Sequence, residues 1–255
     1  RGAPQRTAER QGLIFEASEF VFKAPAAVAR ARRVLIKPYA AHPAAYPVTT
    51  SRNILSVIIR GIRRVSDADI LILESAANGE SIYPIYQALG YDFPRVLLLD
   101  VKDCIWVEVD NPLPKPLTMP TFWVPNVILS SDYLITVTPL KVLKESSHLS
   151  ITNILTLLPA SKYRDETSRE WGALYSLGID RVAADLYFTL PFDLGIIEAR
   201  QKFISPDYPT QGTVKEHGKI FVGEPYQVDY EAAETVGLKT EYLNWIRKAR
   251  ASVES

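Results

Sequence analysis

Short, continuous blocks of apolar residues recur along the chain, and each is followed by a polar or turn-forming stretch. The blocks are VLI at 34–36, ILIL at 70–73, VLLL at 96–99, LITV at 134–137 and LGII at 194–197. Continuous apolar runs of this length are typical of strands that are covered on both faces of a sheet. We therefore expect a buried, mostly parallel sheet.

The stretches between the first three blocks have helical spacing. TTSRNILSVIIRGIRRVS repeats apolar residues at i, i+3 and i+4, and Thr49, Thr50 or Ser51 can cap the helix. SIYPIYQALGY predicts a shorter helix that ends at Gly90. Strand, helix, strand, helix, strand is the order of parallel strands joined by right-handed crossovers.

The pattern changes after the third block. IWVEV alternates like a half-exposed strand, and the proline-rich NPLPKPLTMP forbids regular structure. We predict one α/β domain over residues 1–255, with an N-terminal extension at 1–30 and an inserted excursion or lid at about 103–126. Its mostly parallel central sheet is flanked by helices in Rossmann-like layers.

Further helices are predicted in the second half. Ser147 or Ser150 can cap a helix that runs through Leu158 and stops at Pro159. SREWGALYSLGIDRVAADLYFTLP predicts one long helix, or two that break near Gly178. After LGIIEA we expect a loop rich in Pro, Gly and Asp, then the strand KIFVG and two terminal helices.

Composition narrows the function classes. Lys+Arg and Asp+Glu both number 29, so we expect neither nucleic acid nor a membrane as partner. The single cysteine, Cys104, excludes an internal disulfide and a four-cysteine zinc or iron–sulfur site within this chain. We find no apolar run of membrane-spanning length and no export signal, and expect a cytoplasmic protein. Oligomeric state is left open.

Polar residues end the five apolar blocks. They are Lys37, Glu74, Asp100, Thr138 and Glu198. Because ligands bind beyond the carboxyl ends of parallel strands, these side chains mark a candidate site. Such a cluster can bind a small anion through the lysine, move a proton, or hold a divalent metal such as magnesium or manganese through its carboxylates.

His148 lies in LKESSHLSITNILTLLP, just before the predicted helix. It is either a catalytic base at a pocket or the first residue of a helix whose free N–H groups favour an anion. Ser146, Ser147 and Ser150 surround it, but no GxSxG motif is present, which argues against a serine hydrolase.

Five motifs together resemble the domain-of-unknown-function 362 family over 34–246. They are VLIKP, LITVTPLK, TNILTLLP, LGIIEA and FVGEPYQVDYEAAETVG, in that order. The last is the most specific and contains Gly223, Glu224, Pro225, Val228, Asp229 and Gly237. The resemblance implies an α/β fold and no particular reaction. Some relatives carry ferredoxin-like cluster domains, which this chain lacks.

The chain departs from the family pattern at several site positions. Tyr39 replaces an asparagine, Thr152 a lysine and Thr156 a glycine, while Glu198 and Ala199 stand where the family has Asp-Gly. Neither His148 nor Lys144 falls at the offset of the family histidine and lysine. This indicates a divergent subgroup with an altered site.

Two functions are consistent with these residues. In the first, an enzyme binds an anionic substrate through Lys37, Glu74 and Glu198 act as acid, base or metal ligands, and His148 is a further catalytic candidate. Thr138, Asn153 and Asp229 complete that pocket, with Asp229 a third candidate metal ligand. In the second, a non-catalytic binding or assembly protein keeps the fold after losing the chemistry.

Overall fold

A computed structural model describes residues 13–143 and 147–253, and an eight-stranded sheet forms its centre. The strands of this sheet are β1 Leu13–Glu16, β2 Arg33–Pro38, β3 Asp69–Glu74, β4 Val96–Asp100, β7 Tyr133–Leu143, β8 Ser147–His148, β9 Leu194–Tyr208 and β10 Gln211–Gly223. A separate antiparallel pair consists of β5 Trp106–Asp110 and β6 Thr121–Pro125. The α-helices are α1 Arg52–Arg63, α2 Tyr83–Ala88, α3 Asn126–Leu129, α4 Gly172–Leu177, α5 Ile179–Thr189, α6 Pro225–Val236 and α7 Glu241–Val253.

The strand order reverses beside β2. Along the sheet the order is β1-β10-β9-β7-β2-β3-β4, and β9, β7, β2, β3 and β4 are parallel neighbours. The chain first extends outward from β2 through β3 to β4, then returns to the other side of β2 as β7. Such a reversal opens a crevice at the carboxyl ends of the two strands concerned. The predicted fold class is confirmed.

Helices cover both faces of the sheet. Ser51 caps α1, since its hydroxyl accepts a hydrogen bond from the Ile54 N–H at 3.0 Å, and the apolar side of α1 packs on β2 and β3. The opposite face is covered by α4, α5 and the irregular segment after β8. Among the described helices, none has the length and apolar character needed to cross a bilayer. The β5–β6 pair lies within the predicted excursion.

Three local predictions are wrong. The segment after β8 is a 3-10 helix over Thr152–Leu157 and not the helix capped by Ser147 or Ser150, and a buried carboxylate holds the backbone N–H groups of Ser150 and Ile151 just before it. The predicted loop after LGIIEA is instead the long hairpin of β9 and β10. The LITV strand also continues through Pro139 to Leu143, beyond the end of β2, where a register shift accommodates the proline.

Part of the sequence lies outside the described ranges. This part includes residues 1–12 of the predicted N-terminal extension, together with Lys144 and Ser146. Residues 13–16 form β1 and pair with β10 at one edge of the sheet. The broken-helix alternative near Gly178 is the one observed, since α4 ends and α5 begins on either side of that glycine.

Candidate functional site

Lys37 lies at the end of β2, where the strand order reverses, and its ammonium is enclosed by acceptors. Nζ donates to Glu74 Oε2 at 2.7 Å, to Asn153 Oδ1 at 3.0 Å and to the Pro38 carbonyl at 2.7 Å. Both side chains of the Lys37–Glu74 pair are 0% exposed. Burial lowers the pKa of Lys37, and the Glu74 carboxylate opposes that shift. Three acceptors match the three N–H groups of an ammonium, so Lys37 has no donor left for a ligand.

The partners of Lys37 are also fully engaged. Glu74 accepts from the N–H groups of Ala40 and Ser75 at 2.9 and 2.8 Å, and from Thr156 Oγ1 at 2.7 Å. Asn153 Nδ2 donates to Thr136 Oγ1 at 3.0 Å and to the Lys37 carbonyl at 3.1 Å. We call Lys37, Glu74 and Asn153 the central network. It ties the ends of β2 and β3 to the 3-10 segment.

The other predicted carboxylates each anchor a different backbone segment. Glu198, fully buried in β9, accepts from the Ser51 hydroxyl at 2.7 Å and the Ser51 N–H at 3.1 Å, and thereby fixes the start of α1. Burial raises the pKa of Glu198. Thr138 is buried as well, and its hydroxyl donates to the Pro139 carbonyl at 3.2 Å.

Asp229 on α6 holds the chain just before the 3-10 segment. It accepts from the Ser150 and Ile151 N–H groups at 2.8 and 2.9 Å, and from the Tyr242 hydroxyl at 2.9 Å. Burial raises the pKa of Asp229 to about 6, although these hydrogen bonds favour the ionised form. Across the residues that the structure describes, no three His, Cys, Asp or Glu side chains are grouped so that they could hold a metal.

A second buried lysine, Lys141, lies on the extension of β7 that the sequence pattern did not reveal. Its Nζ donates to the carbonyls of Val48 and Pro209 at 3.0 and 2.9 Å, and lies 4.4 Å from the ring centroid of Tyr39. Lys141 is 1% exposed, and no acidic side chain of the described residues forms an ion pair with it. Burial lowers the pKa of Lys141 to about 7.

His148 and His42 lie around the same tyrosine ring. His148 is directly opposite Lys141 in the β7–β8 pair, and its ring centroid is 4.2 Å from that of Tyr39. His148 Nε2 is buried and has no hydrogen-bond partner. The His42 ring centroid is 6.3 Å from Tyr39. We call Lys141, His148 and His42, arranged around Tyr39, the basic cluster.

The basic cluster has depressed pKa values. Burial, and then the charges of Lys141 and Lys37, hold the pKa of His148 well below its ordinary value, and the Asn153 side chain offsets only part of this shift. Burial and Lys141 likewise lower the pKa of His42, while Glu74 opposes them. Each group thus disfavours positive charge on its neighbours, and an anion placed among them would reverse that effect.

A depression at the opposite edge of the sheet carries mixed charge. It is lined by Arg32, Arg63, Arg64, Asp67 and Asp69, among others. The Arg63 guanidinium is already engaged with the carbonyls of Ala68 and Arg95.

The comparison with protein families finds the same family that the sequence motifs resemble. The family described as "Domain of unknown function (DUF362)" matches residues 34–234. The chain belongs to this family. Its basic cluster and central network both fall inside the matched segment of the DUF362 chain. A search of the curated proteins found no match.

Among solved structures, the DUF362 chain is similar to the lactate racemase apoprotein from Thermoanaerobacterium thermosaccharolyticum. The two share a TM-score of 0.54 and 14% sequence identity, and the match covers 86% of this chain and 53% of the other. The chain therefore spans about half the length of that protein. At this identity the likeness establishes the fold alone.

Proposed function

We propose that this DUF362 protein binds a small carboxylate-bearing anion in the basic cluster. The observation that carries the proposal is Lys141, a buried lysine whose hydrogen-bond acceptors among the described residues are two neutral carbonyls. A buried charge without a counter-charge is costly, and an anion would remove that cost. His148 Nε2, buried and unpartnered, supplies an additional polar contact for the ligand.

The class of ligand follows from the size of the basic cluster and from the solved structure with a similar fold. Two histidines and one lysine around a single tyrosine ring suit one carboxylate or one phosphate rather than a polyanion. The neighbour is named as a lactate racemase, whose substrate is a small carboxylate. A 2-hydroxy or 2-oxo acid is therefore the class to test first.

In this proposal the predicted site residues take different roles. The central network fixes the ends of β2 and β3, and Lys141 takes the anion-binding role that the sequence assigned to Lys37. Because the pKa of Lys141 is about 7, a bound anion raises it, and binding takes up protons near neutral pH. Calorimetric titration in buffers of different ionisation enthalpy measures that uptake.

A thermal-shift titration with lactate, oxalate and phosphate tests the proposal. A ligand at about 100 times its Kd stabilises the folded state by about 2.7 kcal/mol, which for a chain of this size raises Tm by roughly 5–10 °C. Lys141→Met should abolish the shift. Lys162→Met is the matched control, because Lys162 is an exposed lysine over the Trp123 ring and should leave the shift unchanged. Equal shifts in Lys141→Met and wild type would contradict the proposal, as would no shift with any of the three anions.

A second candidate is a binding or assembly protein without catalysis. The observation in its favour is the complete burial of Lys37, Glu74, Glu198 and Asp229, all of which are bonded within the protein. NMR measurements of whether a bound acid is converted to product distinguish an enzyme from a non-catalytic binding protein. Metal binding by these carboxylates stays a prediction, and metal analysis of the purified protein tests it.

A further inference from the structure

We propose that Lys141 is a nucleophilic amine that forms an imine with the carbonyl group of a small 2-oxo acid. This inference rests on the proposed function: the acid's carboxylate binds beside His42 and His148, and the fraction of Lys141 that stays neutral attacks the carbonyl carbon. It adds a covalent step and names the carbonyl as the group that the site recognises.

The hydrogen bonds of the two buried lysines differ in number and kind. Lys37 has three acceptors, one of them a carboxylate, which is the full set for an ammonium. Lys141 has two acceptors, the carbonyls of Val48 and Pro209. A neutral amine donates two hydrogens and keeps one lone pair, so the surroundings of Lys141 satisfy a neutral amine completely and an ammonium incompletely.

Desolvation also favours the neutral form, although the faces of two aromatic rings attract the ammonium. The nitrogen of Lys141 lies against the rings of Tyr39 and Phe203, at 4.4 and 5.4 Å from their centroids, and burial brings the pKa to about 7. A desolvated lysine without a carboxylate partner is the usual form of an amine nucleophile. At neutral pH a large fraction of Lys141 molecules carry the reactive lone pair.

Neighbouring groups provide access and a route for the proton. The carbonyls that hold Lys141 belong to the loop after β2 and to the turn between β9 and β10, and His42 and His148 are partly exposed. His148 is neutral because its pKa lies well below the ordinary value, and among the described residues its Nε2 has no hydrogen-bond partner, so it can relay a proton between the amine and the carbonyl oxygen. His148 is opposite Lys141 across the β7–β8 pair.

The reaction is balanced without an oxidant or reductant. The nitrogen lone pair attacks the carbonyl carbon, and the π electrons of the C=O bond move to oxygen. His148 takes a proton from nitrogen and delivers it to that oxygen, giving a carbinolamine. His148 takes the second proton from nitrogen and delivers it to the hydroxyl, which leaves as water as the nitrogen lone pair forms the C=N bond, so one amine and one carbonyl yield one imine and one water.

Reductive trapping tests this step. The full chain is incubated with pyruvate and cyanoborohydride at pH 7, and adducts are located by intact mass and peptide mapping. An exposed lysine with a pKa near 10.4 is neutral in only about one molecule in 2,500 at this pH, so we expect Lys141 to be labelled at least about tenfold faster despite its burial. Lys141→Arg should remove the adduct, and Lys162→Arg should retain it.

Several outcomes separate the two proposals. Anion-induced thermal shifts without any adduct on Lys141 overturn the imine and leave the proposed function intact. Labelling that is equal across exposed lysines also overturns the imine. Absence of both the thermal shifts and the adduct in folded wild type overturns both proposals.

If Lys141→Arg does not fold, the variant His148→Asn gives an independent test. This variant should slow trapping at Lys141 by about tenfold, while the labelling of Lys162 is unchanged. Unchanged trapping at Lys141 in that variant contradicts the proton transfer assigned to His148.

Discussion

Glu74→Gln should destabilise the protein more than its conservative shape suggests. Glu74 is the only acidic partner of Lys37 among the described residues, and the two side chains are fully buried at 2.7 Å. The substitution leaves the Lys37 ammonium buried without a counter-charge. It also replaces one oxygen by an NH2 group that faces other donors, including the Ser75 N–H and the Thr156 hydroxyl.

The magnitude follows from the burial of this pair. Removing one partner of a buried ion pair costs about 3–5 kcal/mol, a large share of the roughly 5–15 kcal/mol that stabilises a typical domain. For a chain of this size the same loss lowers Tm by roughly 6–20 °C. Replacing both partners, as in Lys37→Met with Glu74→Leu, should cost less than Glu74→Gln alone, because no unpaired charge remains.

Urea unfolding followed by circular dichroism measures these free energies. Asp92→Asn is the matched control, because the Arg52–Asp92 pair has side chains that are 50% and 83% exposed. Exposed pairs contribute only about 0–1 kcal/mol, so this variant should unfold almost as wild type does. A cost below about 1 kcal/mol for Glu74→Gln would refute the argument, as would a double variant less stable than Glu74→Gln.

Three further predictions concern pH and packing. Raising the pKa of Asp229 from 3.8 to about 6 corresponds to about 3 kcal/mol. The native state keeps a proton that the unfolded chain releases, so the free energy of unfolding should fall between about pH 4 and 6, and Asp229→Asn should flatten that part of a urea-based pH profile. Lys141 shifts the opposite way, from 10.5 to about 7. Stability should therefore rise between about pH 7 and 10, and Lys141→Met should flatten the rise. Gly61→Ala should destabilise by about 1–2 kcal/mol in thermal unfolding, because the new Cβ would lie 2.4 Å from the Phe22 carbonyl oxygen, which outweighs a gain in helix propensity of about 1 kcal/mol. A stabilised Gly61→Ala variant would contradict that contact.

The elements that the sequence predicted well are those whose pattern is local. The block at 70–73 is buried on both faces in β3, so every one of its residues is apolar. Ser51 caps α1 by accepting from the Ile54 N–H, three residues along the chain. In both places the residues that decide the structure are adjacent in the chain.

The errors arise where a distant residue decides the local structure. Asp229 takes the N–H groups of Ser150 and Ile151 from 78 or more positions away along the chain, just before the 3-10 segment. The apolar block at 134–137 predicted a strand that ends at Thr138, yet β7 continues because β9 supplies a partner beyond the end of β2. No pattern within either segment contains that information.

The same dependence on distant residues explains which site residues the sequence predicted and which it missed. Strand ends located Lys37 and Glu74, which the structure brings into direct contact. They could not reveal that five further acceptors and donors close around the pair. Lys141 was passed over because it lies beyond the apparent end of its strand. Sequence pattern thus locates charged residues at a sheet edge, while the partners of each charge are set by tertiary packing.

The contrast between the two lysines identifies the group available for function. A buried cation that is fully paired, as Lys37 is with Glu74 and Asn153, contributes to structure and changes little when a ligand arrives. Lys141 has no carboxylate partner among the described residues, so its ammonium form carries a cost that a methionine of similar length would avoid. Deprotonation removes that cost, and in the proposed function a bound anion offsets it. Perturbed ionisable groups of this kind cluster at functional sites, and Lys141 has the polar capacity that the folded protein leaves unused.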